Sequence, residues 1–155
     1  MGLLTGMCNM IRNEQAYHRA KKKLLEERAQ LDSLVRALKE EGLGPEAIAR
    51  TTGMMSGRVE ELELGVARYE QAKRGEFGQV VNLEGLGALL VGARIALGIT
   101  QSELARRLEV DPSQVSKDER FEYQGLTMER ATRVLDALGA ELVSELRLLE
   151  QEEEE

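Results

Sequence analysis

The stretch from Gly98 to Glu119, GITQSELARRLEVDPSQVSKDE, constrains this chain more than any other, because its punctuation demands two short helices joined by a tight turn. Thr100 and Asp111 carry side-chain oxygens that can accept the unpaired amides of a helix's first turn. Pro112 follows Asp111 at the first helical position, where a missing N–H costs nothing. Glu103, three residues after Thr100, completes the pattern of a capping box. Leu104, Leu108, Val110 and Val115 are the apolar positions, and Ala105 is small where two steeply crossing helices approach closely.

From about Leu83 to Leu138 these residues resemble a helix-turn-helix of the phage-repressor type, the XRE family. The resemblance implies that the second helix of the pair enters the major groove of double-stranded DNA while the start of the first holds the backbone. It implies that Gln101 touches phosphate, that Ser113, Gln114, Ser116 and Lys117 face base edges, and that Arg120 reaches the backbone. Arg94 and Glu119 match a structural ion pair that ties the domain's first helix to the recognition helix. Three residues depart from the pattern. Glu109 stands where the turn usually has glycine, and a left-handed backbone there costs a non-glycine residue roughly 1 kcal/mol. Pro112 replaces a residue that often reads a base, and Asp118 brings negative charge towards phosphate.

The formal charge of −7 is unusual for a DNA-binding chain until it is divided along the sequence. Residues 1–82 carry 13 Lys/Arg and 12 Asp/Glu, residues 83–140 carry 7 and 9, and residues 141–155 carry 1 and 7. Most of the excess therefore sits in an acidic C-terminal tail. Even so, the reading domain is not basic, which implies modest phosphate affinity and a need for dimerisation.

Residues 10–76 read as an antiparallel helical hairpin suited to interaction or dimerisation, preceded by a loose leader at 1–9. Asn13 is positioned to cap the first helix, whose narrow stripe runs through Tyr17, Ala20, Leu24, Leu31, Leu34 and Leu38. Gly42 and Gly44 stop it, and Pro45 can open the next helix. There Ile48, Thr52, Met55, Val59, Leu62, Val66, Tyr69 and Lys73 alternate spacings of four and three, the seam of a helix packed on one partner. A competing reading remains open, because residues 42–63 align without gaps on residues 98–119 and could form a second, degenerate helix-turn-helix. The opening Ile11, Asn13, Glu14, Tyr17 also resembles, more loosely, the helical segment of some antitoxin-like bacterial regulators. That resemblance implies an interaction arm and a toxin-like protein partner at the hairpin.

Residues 77–82 read as a linker and 83–140 as a helix-turn-helix domain of four to five helices, giving an all-α chain. Asn82 is the expected cap of the domain's first helix, which Gly85, Gly87 and Gly92 weaken, and Thr127 the expected cap of its last. Residues 141–149 suit either a helix or an interface strand, with helix propensity favouring the former.

The composition disfavours other classes. A single Cys8 excludes an internal disulfide and a cysteine-based zinc site, and a single His18 removes most catalytic and metal constellations. Neighbouring carboxylates such as Glu26 and Glu27 diverge on a helix rather than converge on a substrate. No catalytic residue, cofactor or metal is expected, and no apolar run approaches the roughly 20 residues that span a bilayer, so a cytoplasmic protein is expected. Two functions fit: a sequence-specific DNA-binding regulator, a repressor acting as a homodimer on a palindromic operator, or a protein-interaction module whose helix-turn-helix is mainly structural.

Overall fold

A computed structural model describes residues 11–148. The expected leader at 1–9 and the glutamate-rich end of the 141–155 segment lie outside the described residues. Six helices follow in order: α1 Glu14–Glu40, α2 Pro45–Lys73, α3 Leu86–Ala96, α4 Gln101–Leu108, α5 Pro112–Arg120 and α6 Met128–Leu138. Among the described residues there is no strand, and no single helix is long and apolar enough to cross a membrane.

Helices α1 and α2 lie antiparallel, as Tyr17 beside Glu70 and Arg28 beside Glu63 require. The Asn13 carboxamide caps α1 by accepting from the Ala16 amide at 2.8 Å, Gly42 turns the chain at φ 82°, and Pro45 opens α2. Helix α2 runs unbroken past Gly53, so residues 42–63 form no second helix-turn-helix. The heptad seam outweighs the glycines there, since Ile48, Thr52 and Val59 are buried against α1 while Gly53 and Gly57 face open space.

Only the root of the hairpin shares a core with the remaining helices. Ile11, Val66 and Tyr69 join Leu90, Val91, Leu104, Val115 and Val134 in one apolar cluster. The Tyr17 ring stacks on Tyr69 at 4.8 Å; its hydroxyl donates to Glu70 at 2.6 Å, and that of Tyr69 donates to Glu14 at 2.9 Å. Burial, reinforced by the Glu14 carboxylate, pushes the Tyr69 hydroxyl up to about 12. The residues of the antitoxin-like opening are thus all used within the chain: Ile11 in the core, Asn13 as a cap, Glu14 as an acceptor and Tyr17 in the ring stack.

Two sequence expectations need correction. Asn82 does not cap α3: Asn82, Leu83 and Gly85 all have positive φ, and Gly85 occupies the N-cap without a side-chain bond. Packing, not capping, holds this helix, with Leu86, Leu90, Val91 and Ile95 all buried. Residues 141–148 are neither helix nor strand. Gly139 ends α6 at φ 67°, and beyond it Leu142 packs on the core while Val143, Leu146 and Leu148 are 83, 90 and 90% exposed. Without an apolar face to bury, helix propensity alone does not hold so short a segment.

Of the described glycines, Gly87 has the least room for a side chain. A Cβ at that position would lie 1.8 Å from the carbonyl oxygen of Glu122, so α3 and the loop after α5 meet backbone against side-chain-free backbone. Gly87→Ala is expected to destabilise the protein by about 3 kcal/mol or more, read as a lower denaturant midpoint in chemical unfolding. Gly53→Ala, in open space, should leave the midpoint unchanged or raise it.

Candidate nucleic-acid interface

Helices α4 and α5 form the pair that the punctuation of residues 98–119 demands. The Thr100 hydroxyl accepts from the Glu103 amide at 3.1 Å and the Asp111 carboxylate from the Ser113 amide at 2.8 Å. The Ser113 hydroxyl and amide together hold the Asp111 carboxyl below its usual range. Between the helices Glu109 takes the left-handed conformation at φ 57°, ψ 41°. The expected capping box is half made, because Glu103 turns its carboxylate to Arg106 at 2.8 Å and Arg107 at 2.9 Å instead. Those guanidinium bonds lower Glu103 to about 2, so the stabilisation they give is present above the ordinary carboxylate range and is lost as pH falls towards 2.

Behind α5 lies a buried ionic cluster. Arg94 is 3% exposed and Glu119 0%; the guanidinium donates to the carboxylate at 2.5 and 2.8 Å through Nε and Nη2. Further bonds surround the pair: Arg94 Nη1 donates to the Ile99 carbonyl, Nη2 also to the Arg12 carbonyl, and Gln101 Nε2 donates to Glu119 at 2.7 Å. Such a pair locks α3, α4 and α5 in one register, with its desolvation cost offset by these added hydrogen bonds.

The opposite face of α5 is open. Ser113, Gln114, Lys117 and Arg120 are exposed and share one side of the helix, while Ser116 is half-buried beside buried Val115. Among the described residues the Lys117 ammonium makes no ion pair. Gln114 Nε2 donates to Asp118 at 2.7 Å, and Arg130 of α6 also pairs with Asp118. The negative charge that Asp118 brings is therefore neutralised from within the fold. Gln101 does not reach outward with its side chain, which is taken by Glu119; what it presents at the start of α4 is its backbone amide.

Two residues that support this surface were not evident in the sequence. Arg130 sits in the first turn of α6 and carried no spacing signal towards Asp118. Arg12 lies 108 positions from Arg120, yet its Nη2 donates to the Arg120 carbonyl at 3.3 Å and burial lowers its guanidinium from the usual value. Among the described residues no group of three or more His, Cys, Asp or Glu side chains could hold a metal.

Residues 93–143 match the family described as Helix-turn-helix. This part of the chain is a helix-turn-helix of the XRE type, which supports a DNA-binding transcription regulator. The match begins near Arg94 and so leaves out the hairpin and most of α3. No curated protein matches the chain, and no solved structure does.

Two substitutions test the geometry. Glu109→Gly is expected to raise stability by roughly 0.5–1 kcal/mol by relieving the left-handed strain, visible as a higher melting midpoint. Arg94→Met, which strands a buried carboxylate, is expected to cost about 3–5 kcal/mol, and adding Glu119→Leu should recover a large part of the loss. A double variant no better than the single one would show that the pair's worth lies in its geometry and not in charge compensation.

Proposed function

We propose that the protein is a sequence-specific DNA-binding repressor that works in the cytoplasm as a homodimer, with α5 as its reading helix. The observation that supports this most strongly is the division of α5 into a clamped face and an open one: Val115 and Glu119 are buried, while Ser113, Gln114, Lys117 and Arg120 stand free of the core. Ser113, Gln114 and Lys117 face base edges, with Ser116 at the margin of that surface, and Arg120 reaches the phosphate backbone. At the start of α4 the Gln101 amide, not its carboxamide, meets phosphate. Two copies place their reading helices on half-sites about 34 Å apart, or a multiple of that.

Dimerisation is supported by the hairpin. Helix α1 has 27 residues and none of them is buried, because α2 covers only one side of Leu31, Leu34 and Leu38. A two-helix arm of this kind gains from a further layer, and a second copy supplies one symmetrically. The same arm supports a second reading, an antitoxin-like protein whose hairpin holds a toxin-like partner. The weaker support for it is that the residues carrying that resemblance already serve the chain's own packing.

Fluorescence anisotropy with the duplex upstream of the protein's own gene, beside a shuffled duplex and over several salt concentrations, tests the regulator reading. Tighter binding to the native duplex that persists as salt rises is expected. Gln114→Ala and Lys117→Ala should each weaken the native duplex by about 1–3 kcal/mol while changing the shuffled one less. Arg130→Ala, which frees the charge of Asp118, should weaken both. Equal losses on both duplexes for Gln114→Ala would overturn base reading by that residue.

A further inference from the structure

Where the root of the hairpin meets one face of α3 there is a cleft of about 180 Å³. Ile11, Leu64, Val80, Leu89 and Ile95 wall it with hydrocarbon, and Gly65 and Gly92 contribute no side chain to it. Exposed Glu61, Gln71, Glu76, Gln79 and Glu122 and half-buried Arg68 form its rim, where it opens to solvent. An apolar cavity of about 150 Å³ is large enough to take benzene, and the hydrocarbon walls of this cleft offer a comparable volume below its polar rim. The volume is too small for a helix or a folded segment of another protein.

Its position gives an occupant reach in two directions. Ile11 is followed by Arg12, whose carbonyl accepts from Arg94 and whose guanidinium donates to the Arg120 carbonyl. Glu122 also lines the cleft, lies two residues beyond the end of α5 at φ 48°, and abuts Gly87 with its carbonyl oxygen. A molecule in the cleft therefore touches the N-terminal segment and the loop that together hold the C-terminal end of the reading helix.

We propose that this cleft is a binding site for a compact, uncharged, apolar molecule of aromatic-ring size, and that occupancy changes DNA affinity. The second half of the proposal rests on the regulator reading; the first does not. Filling the cleft stabilises the junction between the hairpin and α3, because the ligand binds only where those two surfaces are together. Moving Ile11 or Glu122 by a few tenths of an ångström is transmitted to α5 through the Arg12 and Gly87 contacts.

The test uses indole and cyclohexanol as probes, titrated into the full chain and followed by amide chemical shifts. Saturable shifts at Gly65, Val80 and Gly92, with a Kd below about 1 mM for indole and a concentration-dependent rise in the melting midpoint, are expected. Gly65→Leu should weaken indole at least tenfold: a Cβ there meets only the Ile11 Cδ1 at 3.7 Å, so the larger side chain grows into the cleft. Gly65→Ala is the milder version, expected to fold and to weaken indole less. Absence of saturable shifts for both probes, or shifts centred elsewhere, would overturn the site. Indole that binds in the cleft without altering affinity for a duplex the protein recognises would overturn the coupling alone. Indole binding by a protein that recognises no duplex would assign the failure to the regulator reading and leave the site standing.

Discussion

The Arg94 guanidinium and the Glu119 carboxylate meet where neither reaches water, and the orientation of α5 depends on that meeting. Glu119 faces the interior from α5, Arg94 comes from α3, Gln101 from α4, and the Arg12 carbonyl from the segment before α1. Four separate pieces of chain are thus fixed to one charge pair. Removing water strengthens each bond in the cluster and raises the penalty for leaving any of them unmade. The surrounding apolar side chains bring the helices together without specifying direction; the ionic cluster specifies which face of α5 is turned inward, and so which is left outside.

The hairpin is connected to the same cluster. Because Ile11 is in the core and Arg12 contacts both Arg94 and the end of α5, α1 starts from the helix-turn-helix and is not tethered to it by a free linker. The Tyr17–Tyr69 stack then closes α1 and α2 at their base. Further out, Ile48, Thr52 and Val59 stay buried along the seam, and ion pairs such as Arg28–Glu63 between partly exposed side chains add little to it in water. The arm is thus anchored to the core at one end, and its apolar seam runs on towards the tip.

Local chemistry was legible in the sequence wherever a short-range rule fixed the backbone. Thr100, Asp111, Thr127 and Asn13 cap helices because a side-chain oxygen and a nearby amide are enough to decide the matter. Glu109 adopts positive φ because the turn geometry leaves no alternative. The buried pair of Arg94 and Glu119 was legible only through resemblance, since nothing in the spacing of 25 residues requires it. What could not be read depended on tertiary neighbours. Asn82 looks like a cap, yet packing starts α3 at Leu86; residues 141–148 look helical, yet Val143, Leu146 and Leu148 find no surface to cover. Gln101 looks outward by position, and only the placement of Glu119 shows where its carboxamide goes. Arg12 and Arg130 acquire their roles from residues far away in sequence, which no periodicity records.

Gln114 begins its encounter with any ligand already bonded, its Nε2 held by Asp118 at 2.7 Å. To donate to a base edge it must exchange one partner for another. An incoming acceptor makes the exchange nearly even, and a surface that offers none leaves the carboxamide with Asp118. The intramolecular bond thus sets a threshold that any new partner of Gln114 has to match. With Arg130 holding the other oxygen of Asp118, that threshold stays at a fixed height.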